Sequence, residues 1–73
     1  MANLTTTEKI RLIAQRNNLT LGALAERSGQ TRQNLSNKLG RGDFKESELR
    51  NIAEVLGCEL KINFIDKKTG EEI

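Results

Sequence analysis

The chain reads as an all-α domain that ends in a short β-strand or hairpin, and three observations point there. Four stretches place apolar residues three and four apart, the period at which side chains line one face of a helix. Each stretch opens at a Thr or at paired acidic residues and closes at Gly or Asn, residue types that satisfy or terminate helix ends. Beyond Cys58 the apolar residues change to strict alternation, which is the period of a strand.

Taken in order, the first helix follows Thr5-Thr-Thr-Glu8. That spacing suits a capping box, in which the Thr hydroxyl and the Glu carboxylate each accept from an otherwise orphaned amide. Ile10, Ile13 and Ala14 then recur at helical spacing, and the helix is expected to end near Asn17-Asn18. Thr20 is the expected N-cap of a second helix of about two turns. In it Leu21, Leu24, Ala25 and Ser28 stand at i, i+3, i+4 and i+7 before Gly29 stops it. Thr31 caps a third helix, over 31–40, whose only apolar residues are Leu35 and Leu39, one turn apart, ahead of the Gly40-Arg41-Gly42-Asp43 break. In the fourth helix Leu49, Ile52, Ala53 and Leu56 repeat the full pattern. Glu46 and Glu48 lie near its positive end and Gly57 follows its last turn. Leu60, Ile62 and Phe64 then alternate with Lys61, Asn63 and Ile65, and Asp66-Lys-Lys-Thr-Gly70 reads as a turn. A strand is therefore expected over 59–65, returning as a hairpin through Glu71 to Ile73.

The 73 residues make one domain, with a helical core over 7–57 and a C-terminal element over 58–73. A chain this short buries only about 60% of its unfolded surface, which leaves little room for an enclosed cofactor pocket. With no His and one Cys, it cannot build a His/Cys metal site, a Ser-His-Asp or Cys-His pair, or an internal disulfide. Binding rather than catalysis is the expectation, with no cofactor and no metal. No apolar run approaches the ~18 residues that span a bilayer, and Met1 leads into Ala-Asn-Leu rather than a basic, apolar leader, so a cytoplasmic and unprocessed protein is expected.

Net charge is only +2, but it is unevenly distributed. Residues 30–45 hold four bases and one acid, whereas 46–73 hold four bases and seven acids. By itself such a split is more often a set of solvated faces than the footprint of a polyanionic partner.

The segment joining the second and third helices is more informative. Ala25 is followed by Gly29 four residues on and by Leu35 six further on, with Leu24 beside the Ala. A short side chain at Ala25 lets two crossing helices approach, Gly29 allows a left-handed turn, and Leu24 and Leu35 pin both helices to one core. This is a helix-turn-helix pattern. Through Leu24-Ala25-Glu-Arg-Ser-Gly29 and Thr31-Arg32-Gln33-Asn34-Leu35-Ser36, over roughly residues 7 to 57, the chain resembles the phage repressor and Cro family of helix-turn-helix DNA-binding proteins. The resemblance implies a four-helix repressor-like fold, a recognition helix that enters the major groove, and a double-stranded DNA partner. Two positions depart from the family pattern. Leu21 stands where many relatives place a phosphate-contacting Gln, and Lys38 occupies a usually apolar place, from which its stem is expected to line the core edge while its ammonium reaches outward.

With Leu35 at 0° on a helical wheel, Gln33 falls at about 160° and Asn37 at about 200°, pointing away from the core. Ser36 and Gly40 flank them on one side and Arg41 and Asn34 on the other, and no acid shares this face. Amides, hydroxyls and bases are the groups that donate to phosphates and base edges. Gln33 and Asn37 are the leading candidates for base contact, joined by Arg32 at the helix start and Ser36 on the flank. Thr31, Asn34, Lys38, Arg41 and Lys45 are the candidates for phosphate contact. A merely solvated polar helix is the plainer reading of the same residues.

In the tail, Ile62, Phe64 and Ile65 are candidates for a dimer seam, because a strand with an apolar face is not stable as an isolated edge. Its partner is either the return to Ile73 or the same strand of a second copy, as Cro-like relatives imply. Cys58 is expected to be a small core residue, and Phe44 a core plug beneath the loop before the fourth helix. The expected function is a sequence-specific transcriptional regulator, a repressor acting as a homodimer on double-stranded DNA, with no membrane association. The rival reading is a protein-interaction module, such as an antitoxin, that binds a partner protein through its acidic, apolar-striped tail.

Overall fold

The computed structural model describes residues 4–73; the unprocessed start expected at residues 1–3 lies outside them. Four helices follow one another: α1 (Thr6–Arg16), α2 (Leu21–Arg27), α3 (Arg32–Arg41) and α4 (Glu46–Val55). The all-α expectation holds, and the expected Thr residues start the first three helices. At α1 the Thr5 amide donates to Glu8 Oε1 (2.9 Å) and the Glu8 amide to Thr5 Oγ1 (3.1 Å), closing both arms of the capping box. Thr20 Oγ1 accepts from the Ala23 amide at 3.1 Å, and Thr31 Oγ1 from the Asn34 amide at 3.0 Å. α4 is started differently, by the Glu48 carboxylate accepting from the Lys45 amide at 3.1 Å.

Two ends differ in detail from the sequence pattern. Gly40 does not break α3, which continues through Arg41 and is closed by Gly42 in the left-handed region (φ 66°). Asn18 adopts φ 54° after α1, a conformation that Asn tolerates better than most residues.

Ile10, Ala14, Leu24, Ala25, Leu35, Leu39, Ile52 and Leu56 form one buried cluster drawn from all four helices and the residue that closes α4. Ile13, Leu19, Leu21, Phe44, Leu49 and Val55 pack around it, with Phe44 plugging the loop as expected. α2 lies against α3 and α4, and Ala25 is 1% exposed. Three side chains tie ends of elements together. Thr7 Oγ1 donates to the Leu39 carbonyl (2.8 Å), Asn17 Nδ2 to the Leu56 carbonyl (3.2 Å), and Asn51 Nδ2 to the Ser28 carbonyl (2.8 Å). Each supplies a partner to a carbonyl at or just beyond a helix end, where the helix itself has none to offer.

The tail departs from expectation. Residues 59–65 do not form a strand; within the described residues the only bridge in the tail is one antiparallel pairing of Ile65 with Glu72. The turn itself is present, with the Asp66 amide donating to the Glu71 carbonyl (2.8 Å) and the Ile73 amide to the Phe64 carbonyl (2.9 Å). Asp66 Oδ1 accepts from the Lys68 amide at 2.8 Å and braces it. The backbone pairing reaches back only as far as Phe64, and residues 59–63 are unpaired. Phe64 is 75% exposed, Ile65 64% and Ile73 86%. The molecule measures 42 × 23 × 22 Å, longer than a compact 73-residue body requires. Cys58 is exposed rather than buried. Leu56 is the last residue of the core, and Gly57 (φ 71°) turns the chain away from it.

Candidate nucleic-acid interface

α3 is held by two inward leucines, Leu35 at 0% and Leu39 at 2% exposure, so its remaining faces are free to carry polar chemistry. Thr31, Arg32, Gln33, Asn34, Asn37, Gly40 and Arg41 are all exposed, as is Lys45 at the start of α4. The two leading candidates meet: Gln33 Nε2 donates to Asn37 Oδ1 at 3.1 Å, one turn apart on the outer face. The pair was not part of the wheel reading, although its spacing of four residues permits it.

Asn34 is held from the other side. Its Nδ2 donates to Gln30 Oε1 (3.4 Å), Gln30 Nε2 donates to Ser28 Oγ (3.1 Å), and Ser28 Oγ donates to the Ala25 carbonyl (3.1 Å). A chain of hydrogen bonds thus runs from α2 through the turn to the flank of α3. Gln30 was missed by the sequence reading, and its only signal was its position four residues before Asn34. The Arg32 stem passes Gly22 near the start of α2, where an added Cβ would sit 3.9 Å from Arg32 Cδ. Arg32 is thereby seated beside both helices at the N-terminal end of α3.

Ser36 is half-buried, on the shoulder of the face rather than its crest. Lys38 is the correction. Its ammonium pairs with the Glu48 carboxylate of α4, and the two side chains are only 23% and 21% exposed. The stem does lie along the core edge, but the charge is turned sideways to α4 instead of outward, because Glu48 already stands there as the cap acceptor of that helix. Lys38 is therefore tied to α4 by an ion pair rather than extended freely outward.

The ion pairs found among the described residues are this one and Arg50–Glu46, so Arg32, Arg41 and Lys45 carry charge that no carboxylate neutralises by direct contact. No acid lies on α3. Chemically, the face can donate to phosphates from Arg, Lys, hydroxyl and amide groups, and can both donate and accept from the Gln33–Asn37 pair.

Elsewhere, an open apolar groove of about 450 Å³ runs between α1, α4 and the start of the tail, lined by Ile13, Leu49, Ile52, Leu56, Leu60 and Ile62 among others. Among the described residues no three His, Cys, Asp or Glu side chains gather in a way that could hold a metal ion, and no helix is long and apolar enough to cross a membrane. Comparison with protein-family models, with curated proteins and with solved structures finds no match.

Proposed function

We propose that the chain is a sequence-specific double-stranded DNA-binding transcriptional regulator, a repressor acting in the cytoplasm, in which α2 and α3 form a helix-turn-helix unit and α3 enters the major groove. The observation that carries this reading is the outer face of α3. It is exposed, free of acids, anchored by only two leucines, and crowned by two amides bonded to one another. A helix whose outer face served only solubility would ordinarily mix both signs of charge.

In this reading Gln33 and Asn37 meet base edges, and Arg32 reaches a base from the end of the helix that enters the groove. Ser36 touches the edge of the same groove. Thr31, Asn34, Arg41 and Lys45 bind phosphates and set the register without reading sequence. Thr31 can do so while capping α3, because its oxygen accepts from the Asn34 amide and its hydroxyl hydrogen remains to donate.

A second copy completes the reading. The unpaired backbone before Phe64 and the exposed Ile62, Phe64 and Ile65 support a two-fold dimer joined through the tail, which would set two copies of α3 on half-sites about 34–36 Å apart. The same exposed tail also supports the rival reading, capture of a partner protein in the manner of an antitoxin. Binding titrations separate the two. On a duplex recovered by selection, Gln33→Ala and Asn37→Ala should each lose about 1–3 kcal/mol of discrimination at particular base pairs. Arg41→Ala should weaken all duplexes alike and lower the salt slope by about one. Indifference to all three changes would refute the DNA reading.

A further inference from the structure

Lys38 stands on a flank of α3 whose other polar residues are free. Asn34 lies one turn before it and Arg41 one turn after it, and both are exposed. With Leu35 at 0°, the three fall at about 260°, 300° and 240° on the helical wheel. What sets Lys38 apart is where its charge is held. Its ammonium meets Glu48 Oε2 on α4, and the two side chains are partly buried. The other carboxylate oxygen, Glu48 Oε1, accepts from the Lys45 amide at 3.1 Å and closes the start of α4. Glu48 is thus held by its own helix, and it cannot follow the ammonium outward without giving up the cap. The roles in this pair are fixed, because an ammonium only donates and an ionised carboxylate only accepts. Lys38 has hydrogens to spare, but the pair as a whole is neutral, so a phosphate that shared one of them would gain no net charge. Drawing Lys38 away altogether would leave a partly buried carboxylate without its counter-charge, which is costly.

We infer that Glu48 is a positioning residue for DNA binding: it withholds the charge of Lys38 from the phosphate backbone and so keeps affinity for DNA of any sequence down. This rests on the DNA reading proposed above and adds to it a residue outside α3 that sets how many phosphates the helix neutralises. Sequence-independent affinity is supplied by those neutralised phosphates and the counterions they release. Neutralising Glu48 frees Lys38 to join Asn34 and Arg41 on their flank, whereas removing both charges leaves the interface as it was.

The test is titration of a random-sequence duplex between about 50 and 200 mM salt, with the wild type, Glu48→Gln, Lys38→Met combined with Glu48→Gln, and Glu54→Gln. Glu48→Gln keeps an amide oxygen for the Lys45 cap and removes only the charge. Glu54→Gln makes the same change in net charge at an exposed place six residues further along α4. Melting curves verify that each variant is folded during titration. Glu48→Gln should bind more tightly at low salt and steepen the salt slope by about one, losing about 3.5-fold more affinity than the wild type across that range. The combined variant should return to the wild-type slope, and Glu54→Gln should keep it. An unchanged slope in Glu48→Gln would overturn the inference, as would an equal steepening in Glu54→Gln. A slope shallower by one in the combined variant would show that Lys38 already meets a phosphate in the wild type, and that result stands even if Glu48→Gln fails to fold. These three outcomes leave the DNA reading intact. A wild type that neither binds this duplex nor enriches a site in selection would bring down the DNA reading and the inference together.

Discussion

At the level of single residues, two carboxylates that look alike in sequence serve different ends. Glu8 accepts from the Thr5 amide and, with the Thr5 hydroxyl alongside, its carboxyl is held below the ordinary carboxylate value, the backbone hydrogen bond being the larger cause. A depressed value in the folded state means that the cap contributes at pH above the unfolded carboxyl value and is lost as pH falls through the folded one. Glu8→Ala should therefore lower the thermal midpoint at neutral pH and lower it much less in strong acid, where the wild-type carboxyl is itself protonated. An equal loss at both pH values would show that the charge plays no part. Glu48 caps α4 and also pairs with the half-buried Lys38. Lys38→Ala should cost about 1–3 kcal/mol, between the values for exposed and buried pairs, because Glu48 is left half-buried without its partner. Lys38→Met combined with Glu48→Gln should recover most of that loss, as chemical denaturation would measure. If Lys38 were instead a free phosphate contact, its replacement would leave stability unchanged and weaken DNA binding.

At the level of elements, the glycines that flank α3 make a clean contrast. Gly29 sits at φ 77° with open space where a Cβ would go, and Gly40 sits inside α3 with equally open space and no positive φ. Gly29→Ala should cost about 1–2 kcal/mol from the left-handed backbone alone, whereas Gly40→Ala should gain about 0.5–1 kcal/mol by raising helix propensity. The same sign for both in urea titrations would contradict the difference in backbone. Helix existence and capping were legible in the chain because they depend on neighbours three or four residues apart, as at Thr5, Thr20 and Thr31. The ties from Thr7 to Leu39, Asn17 to Leu56 and Asn51 to Ser28 were not legible, since each joins residues more than twenty apart and no local pattern announces them. The Lys38–Glu48 pair escaped because its partners stand on different helices, and no local period links them. Within the candidate interface, the outward direction of Gln33 and Asn37 could be read from the wheel, but their mutual bond needed side-chain positions. The strand over 59–65 was overread because alternation specifies which face a strand would bury, not whether a partner strand exists to complete it.

At the level of the whole molecule, a compact helical body carries an extended tail whose largest apolar residue is its most useful probe. Phe64 is 75% exposed, so Phe64→Asp removes almost no burial from the monomer and should leave its melting curve at low concentration intact. In the proposed dimer it should shift sedimentation toward the monomer and weaken binding to a two-half-site duplex more than to a single half-site. Unchanged sedimentation would place the dimer seam elsewhere. Such a dimer would present two basic α3 faces, a concentration of positive charge that directs a polyanion to the helices. Regulation would then depend on protein concentration, through dimer formation, and would need no small effector. The most direct measurement is selection from random duplex DNA on the purified protein at low and at physiological salt. Enrichment of a two-fold symmetric site, with half-sites about 10 base pairs apart and persisting at the higher salt, is the predicted result. Weak, unselective binding that vanishes at physiological salt would contradict it and leave α3 as a generic electrostatic patch.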